Sequence, residues 1–230
     1  GKELAFIQDR RKLMVVNLET KKVRQITDGS FWPSTGGRFE YQWSPDGKWF
    51  TLCFTGNKHD PYYDIGLVSA QGGKITNLTN SGYTSGSPAW TMDGNAILFT
   101  SERYGMRNHA SWGSMEDVFL CFVNQDAYDK YRLSKEDYEL LKEVEKEQEK
   151  LKKGAKKTDD KKDAKKDEKK DAVKDIVMEL DGIQDRIVRL TPNSSSLGSA
   201  IIDKKGETLY YTASFEGGMD LWKLDLRKKD

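Results

Sequence analysis

Short apolar runs with alternating polar positions recur along the chain, and pairs of residues suited to reversing the backbone separate them. In EYQWSPDGKWFTLCF, Glu40 to Phe54, aromatic and β-branched flanks enclose Asp46-Gly47. Glycine accepts positive φ and an Asp side chain can bond the backbone ahead of it, so this stretch predicts two antiparallel strands joined by a tight turn. The same turn recurs at Asp93-Gly94 in SPAWTMDGNAILFTS and, more weakly, at Lys205-Gly206 in GSAIIDKKGETLYYTAS; GKELAF from Gly1 overlays GKWFTL. A second marker is a hydrophobic residue plus Thr closing a strand, at Ile26-Thr27, Leu78-Thr79 and Leu190-Thr191. A third is Lys or Asp opening an apolar strand, at Lys12, Asp64, Asp117 and Asp220. All three markers count the same units.

The units recur about every 50 residues, except where a charged segment interrupts the third. Each reads as four short strands, a to d, with the DG turn between a and b. In the second unit they are expected near Phe39 to Ser44, Lys48 to Phe54, Asp64 to Ala70 and Lys74 to Thr79. Four-stranded units of this length predict an all-β fold, a partial β-propeller of about four blades in which each sheet packs face to face on the next. The first blade lacks strand a and the last lacks strand d, the pattern expected of a segment from a ring of six or seven blades. The expected organisation is blades 1 to 3 (start) over 1–124, an inserted helix and disordered tract over 125–175, and the end of blade 3 with partial blade 4 over 176–230.

Alternating strand directions place the b–c and d–a loops on one face of the ring and the a–b and c–d loops on the other. The first face receives the long loops after Thr27, Phe54 and Ser101, with Trp32, His59, Arg103, Tyr104, Arg107, His109 and Trp112. Aromatic and Arg side chains on loops of a rigid scaffold are where binding usually sits. Trp32, Arg103, Tyr104, Arg107, His109 and Trp112 are the candidate rim: Arg103 and Arg107 for charge contacts, Tyr104 and Trp112 for stacking. The competing reading folds Trp32 and Trp112 back over the blade edges and pairs either Arg with Glu102 or Glu116. The opposite face receives the insertion. Ser134 and Asp137 predict a capped helix whose apolar stripe is Tyr138, Leu141, Val144, Gln148 and Leu151, with Leu133 and Tyr138 as a staple. The helix is expected to pack through its first half and fray after Leu151; the Lys, Asp and Glu tract from Lys152 to Asp175 has no apolar face to bury.

Composition sharpens this picture. Lys and Arg number 38 and Asp and Glu 37, a net charge of +1, which argues against nucleic acid as the main partner. No apolar run is long enough for a membrane span. Cys53 and Cys121 sit inside apolar runs and read as buried free thiols. No GxSxG, HExxH, CxxC or phosphate-binding glycine loop occurs; Ser111 near His109 makes no triad, and no third ligand accompanies the histidines. No catalytic residue, cofactor or metal site is therefore expected in this chain.

The blade pattern of WSPDGKW, PAWTMDGNAILFTS and the LT strand ends resembles the propeller repeats of TolB-like proteins and tricorn peptidases. SERYGMRNHASWGSMEDVFLCFVNQDAYDKYRLSKEDYELLKE, and the charged tract running into VMELDGIQDRIVRLTPNSSS, resemble the N-terminal propeller region of bacterial tricorn-like serine peptidases. That resemblance implies a non-catalytic module that gates, binds or guides peptides toward a peptidase core outside this chain. Its implied partners are unfolded polypeptide, the remaining blades and that core, in an exported or, alternatively, a cytoplasmic protein. A TolB-like protein-interaction propeller and a carbohydrate or small-ligand binder are the alternative readings.

Overall fold

The computed structural model describes residues 1–30, 39–56, 62–109, 112–155 and 174–228. The first sheet holds β1 (Glu3–Gln8), β2 (Lys12–Asn17) and β3 (Val23–Gln25), and the second β4 (Tyr41–Trp43), β5 (Trp49–Phe54), β6 (Asp64–Ser69) and β7 (Thr76–Asn77). The third begins with β8 (Ser85–Thr91) and β9 (Ala96–Ser101); a hairpin of β10 (Arg107–His109) and β11 (Trp112–Ser114) precedes β12 (Asp117–Phe122). Helices α1 (Gln125–Arg132) and α2 (Lys135–Ala155) follow, before β13 (Ile187–Arg189) completes that sheet; β14 (Ser196–Ile202), β15 (Thr208–Ser214) and β16 (Asp220–Asp225) form the fourth. All pairings are antiparallel between chain neighbours, apart from the excursions that separate β9, β12 and β13. The molecule is a partial β-propeller with the helices inserted in its third blade.

Packing between successive sheets makes three cores. Leu13 and Val15 meet Phe50, Leu52 and Val68 between blades 1 and 2. Ile65 and Leu67 meet Ile97, Phe99, Phe119 and Cys121 between blades 2 and 3. Leu98, Val118 and Leu120 meet Ile202, Leu209 and Tyr211 between blades 3 and 4. Burying a Leu, Ile or Phe side chain contributes roughly 1.5–3 kcal/mol, so each blade is held chiefly by its neighbours.

The turn glycines take the positive φ their turns demand: Gly47 +72°, Gly94 +90° and Gly206 +71°. Gly94 meets a second constraint, because a Cβ there would collide with Ile176, whose N–H donates to Asp46 Oδ2 at 3.0 Å. That contact fastens the chain returning from the insertion beneath blades 2 and 3. The buried Arg186 guanidinium fixes the same segment by donating to the carbonyls of Phe122, Asp181 and Glu179.

The repeat markers acquire a physical meaning. Asp64 opens β6 and is buried; its carboxylate accepts from Thr79 Oγ1 (2.7 Å), Asn77 Nδ2 (2.8 Å) and the Ser81 N–H (3.0 Å). Thr79 Oγ1 in turn accepts from the Ile65 N–H at 3.1 Å. Asp117 opens β12 at 0% exposure and accepts from Thr191 Oγ1 (2.8 Å), Arg189 (2.8 Å) and Ser194 Oγ (2.7 Å), while Thr191 Oγ1 accepts from the Val118 N–H at 3.2 Å. In blade 1, Lys12 replaces the Asp, and Thr27 Oγ1 accepts from the Leu13 N–H at 2.9 Å. The side-chain hydroxyl replaces a backbone acceptor at the end of strand d. That ends the ladder of β7 at Asn77, short of the expected Thr79; β7 also starts later, at Thr76, than the expected Lys74.

Three expectations need correction. The insertion begins with α1, capped by Asn124 Oδ1 accepting from the Ala127 N–H at 2.9 Å, and Ala127, Tyr128 and Tyr131 of α1 pack on the core between blades 3 and 4. The second helix continues past Leu151 to Ala155. Its stripe is buried only at Tyr138; Val144 and Leu151 are 43% and 73% exposed. The Ser134 cap is present: the Asp137 N–H donates to Ser134 Oγ at 3.1 Å, and that hydroxyl donates to Asp137 Oδ2 at 2.9 Å. Residues 156–173 of the charged tract lie outside the described residues. No helix among the described residues is long and apolar enough to cross a membrane.

Candidate functional site

Among the rim candidates, Arg103 and Tyr104 are fully described. Trp32 and His59 lie outside the described residues, and only backbone is described for Arg107, His109 and Trp112. The last three share the β10–β11 hairpin, with His109 paired to Trp112 and Arg107 to Ser114. The hairpin base is tight: the Met115 N–H donates to the Met106 carbonyl at 3.0 Å, and a Cβ on Gly105 would run into the Met115 backbone.

Tyr104 stands immediately before that base and is 56% exposed. It continues a column of rings that rises from the core between blades 2 and 3: Phe99 stacks on Phe119 at 5.4 Å, and Phe119 on Tyr104 at 6.0 Å. The Arg103 guanidinium lies 5.6 Å from the Tyr104 centroid and that of Arg189 lies 5.3 Å from it. Arg189 also pairs with Asp117 at 2.8 Å. Among the described residues, Arg103 has no carboxylate within ion-pair distance, so pairing with Glu102 or Glu116 is not what holds it. A half-exposed ring flanked by two guanidiniums can cover an apolar or aromatic group while a carboxylate is held in forked geometry.

Sequence reasoning missed Arg189 and Phe119, and read Asp117 only as a strand opener. Repeat alignment carries the missing information for Arg189: it stands two residues before Thr191, where Asn77 stands before Thr79, and both donate to the blade's buried Asp. Arg is longer than Asn, so its guanidinium serves the Asp and also reaches the Tyr104 ring.

Carboxylates gather on the same face. Burial, then the charges of Glu102 and Glu40, push the Glu116 carboxyl above its ordinary range despite a hydrogen bond with Thr100. Glu40 accepts from the Ser87 N–H at 2.9 Å, tying the inner strand of blade 2 to that of blade 3. Burial pushes the Cys121 thiol up to about 12. Burial first, then Glu40, puts Cys53 well above the ordinary thiol range. Neither is poised as a nucleophile.

No protein-family model matches the chain. Over its full length it superposes on tricorn protease with a TM-score of 0.62 at 14% identity, covering 21% of that chain. A putative TolB from Agrobacterium tumefaciens superposes at 0.51 with 13% identity, covering 56% of that chain, and TolB from Acinetobacter baumannii at 0.51 with 16% identity, covering 39%. The fold is a TolB/tricorn-type propeller. In sequence, the chain is 36% identical over 59 residues to the uncharacterized peptidase YuxL of Bacillus subtilis (strain 168), covering 26% of this chain and 9% of that protein. It is 35% identical over 83 residues to the uncharacterized protein Atu1656 of Agrobacterium fabrum, covering 32% of this chain and 27% of that protein. The chain therefore matches about a quarter or less of each of these two relatives.

Proposed function

We propose that this TolB/tricorn-type propeller segment is a non-catalytic polypeptide-binding module whose rim guides peptides toward a peptidase core elsewhere in its parent protein. The observation that carries this reading is the exposed Tyr104 ring with the Arg103 and Arg189 guanidiniums beside it, at the mouth of the b–c loops. A peptide offers a terminal carboxylate to the guanidiniums and a side chain to the ring. Arg107, His109 and Trp112, whose backbone forms the adjoining hairpin, are the further rim residues of this reading, with Trp32, which lies outside the described residues. The superposition on tricorn protease supports the peptidase context. The superposition on TolB structures supports a second reading, in which the same rim meets a folded partner protein. An exported location is the proposed one for both readings, with a cytoplasmic location as the alternative.

Fluorescence anisotropy with labelled peptides bearing free or amidated C-termini tests this. Saturable binding, weakened about tenfold by Arg103→Ala or Tyr104→Ala and by amidation, is expected. Arg107→Ala and Trp112→Ala report whether the hairpin participates. Unchanged affinity in all four variants, with circular dichroism showing intact folding, removes this face from the binding surface. The isolated chain should hydrolyse none of these peptides; turnover abolished by Ser111→Ala would contradict a non-catalytic role.

A further inference from the structure

We infer a second binding site, on the opposite face of the blades, that takes a small multiply charged anion. A cavity of about 690 Å³ lies between the inserted helices and the a–b turns of blades 3 and 4, within the volume range of small-molecule sites. Its walls come from parts of the chain far apart in sequence. Asp93 stands on one a–b turn, Lys204 and Lys205 on the next, Asp126 and Lys130 on α1, Lys146 on α2, and Arg227 follows β16.

The charges within it do not cancel. Asp93 is held by Lys204 at 3.1 Å and Glu145 by Lys130 at 2.8 Å. Glu179 accepts the Gln125 N–H at 2.8 Å, and Lys142 is matched by Glu207. Lys146, Lys205 and Arg227 have no carboxylate within ion-pair distance among the described residues; against these three cations stand two lining carboxylates, Asp126 and Glu179, whose bond to a backbone N–H leaves its charge in place. Arg227 is positioned by donating to the Tyr131, Leu133 and Lys130 carbonyls, and its guanidinium lies 3.8 Å from the Tyr138 centroid. Its Nε is buried and lacks a hydrogen-bond partner. A fixed guanidinium against an aromatic floor, with the Lys146 ammonium on α2 and the Lys205 ammonium on the a–b turn of blade 4, matches an anion carrying several oxygens. Carboxylate and phosphate share that chemistry. The site is independent of the Arg103–Tyr104 rim.

Isothermal titration of the whole chain with citrate and, separately, with inorganic tripolyphosphate at low ionic strength tests the assignment. Saturable one-to-one binding of at least one anion is expected, and which of them binds distinguishes carboxylate from phosphate. Lys146→Ala combined with Lys205→Ala should weaken it at least tenfold, Asp126→Asn should tighten it about threefold, and Arg103→Ala should leave it unchanged. Glycerol, a neutral ligand of similar size, should not bind. Absence of saturable binding for both anions, a loss under threefold in the double variant, or loss caused by Arg103→Ala would each overturn the inference.

Discussion

Single hydroxyls decide how each strand d ends. Thr79 and Thr191 each accept a backbone N–H and donate to a buried Asp, whereas Thr27, facing Lys12, has only the first role. Replacing Thr79 or Thr191 by Val leaves a buried carboxylate short of one donor and strands an N–H, which should cost about 2–3 kcal/mol; Thr27→Val should cost about 1 kcal/mol. Urea denaturation of the three variants checks the ranking, and equal losses would contradict the assigned role of the Asp. Glu116 gives a pH-dependent counterpart. Its native carboxyl binds its proton more tightly than the unfolded one, because burial and then Glu102 and Glu40 disfavour its charge. As pH rises through the ordinary carboxylate range, the unfolded chain releases this proton first, so native stability falls until the native carboxyl also ionises. Glu116→Gln should therefore melt higher than the parent near neutral pH, with the difference vanishing toward about pH 4. A pH-independent difference would show that the substitution acts through packing.

At the scale of elements, two turns of identical sequence sign carry different loads. Gly47 at φ +72° has open space where a Cβ would stand, whereas Gly94 at φ +90° is capped by Ile176. Gly47→Ala should cost about 1 kcal/mol from backbone strain alone, and Gly94→Ala about 2–3 kcal/mol, since it also displaces the segment returning from the insertion. Thermal melting of both variants separates strain from collision. The DG pairs, the four strands of blade 2 and the Ser134 cap were legible in the sequence because each depends on residues close together in the chain. The short helix α1 was not, since its stability comes from Tyr128 and Tyr131 packing against Phe122 at 5.7 and 4.9 Å. The hairpin that carries Arg107, His109 and Trp112 was hidden for a similar reason: it depends on Gly105 lying against Met115. Of the site, Arg103 and Tyr104 stood out as polar and aromatic loop residues, but the guanidinium that completes their cluster, Arg189, is contributed from β13, far along the chain.

At the scale of the molecule, every core among the described residues lies between two consecutive blades, and these three cores share no buried residue. Stability then adds up as a chain of nearest-neighbour interfaces. Blades 2 and 3 each contribute to two cores and blades 1 and 4 to one, so amide hydrogen exchange should be slowest in β5, β6, β9 and β12 and faster in β2 and β15. Uniform protection across all four sheets would indicate that the blades open together. The insertion alters this ladder at one rung. Because α1 packs on the core between blades 3 and 4 and the Ile176 segment packs on the core between blades 2 and 3, one excursion of the chain clasps two successive interfaces. Pulled from its ends, such a molecule would not shed its blades one at a time. Blade 1 would peel away at low force, and blades 2 to 4 would yield later as a single block, the insertion acting as a rivet through three plates.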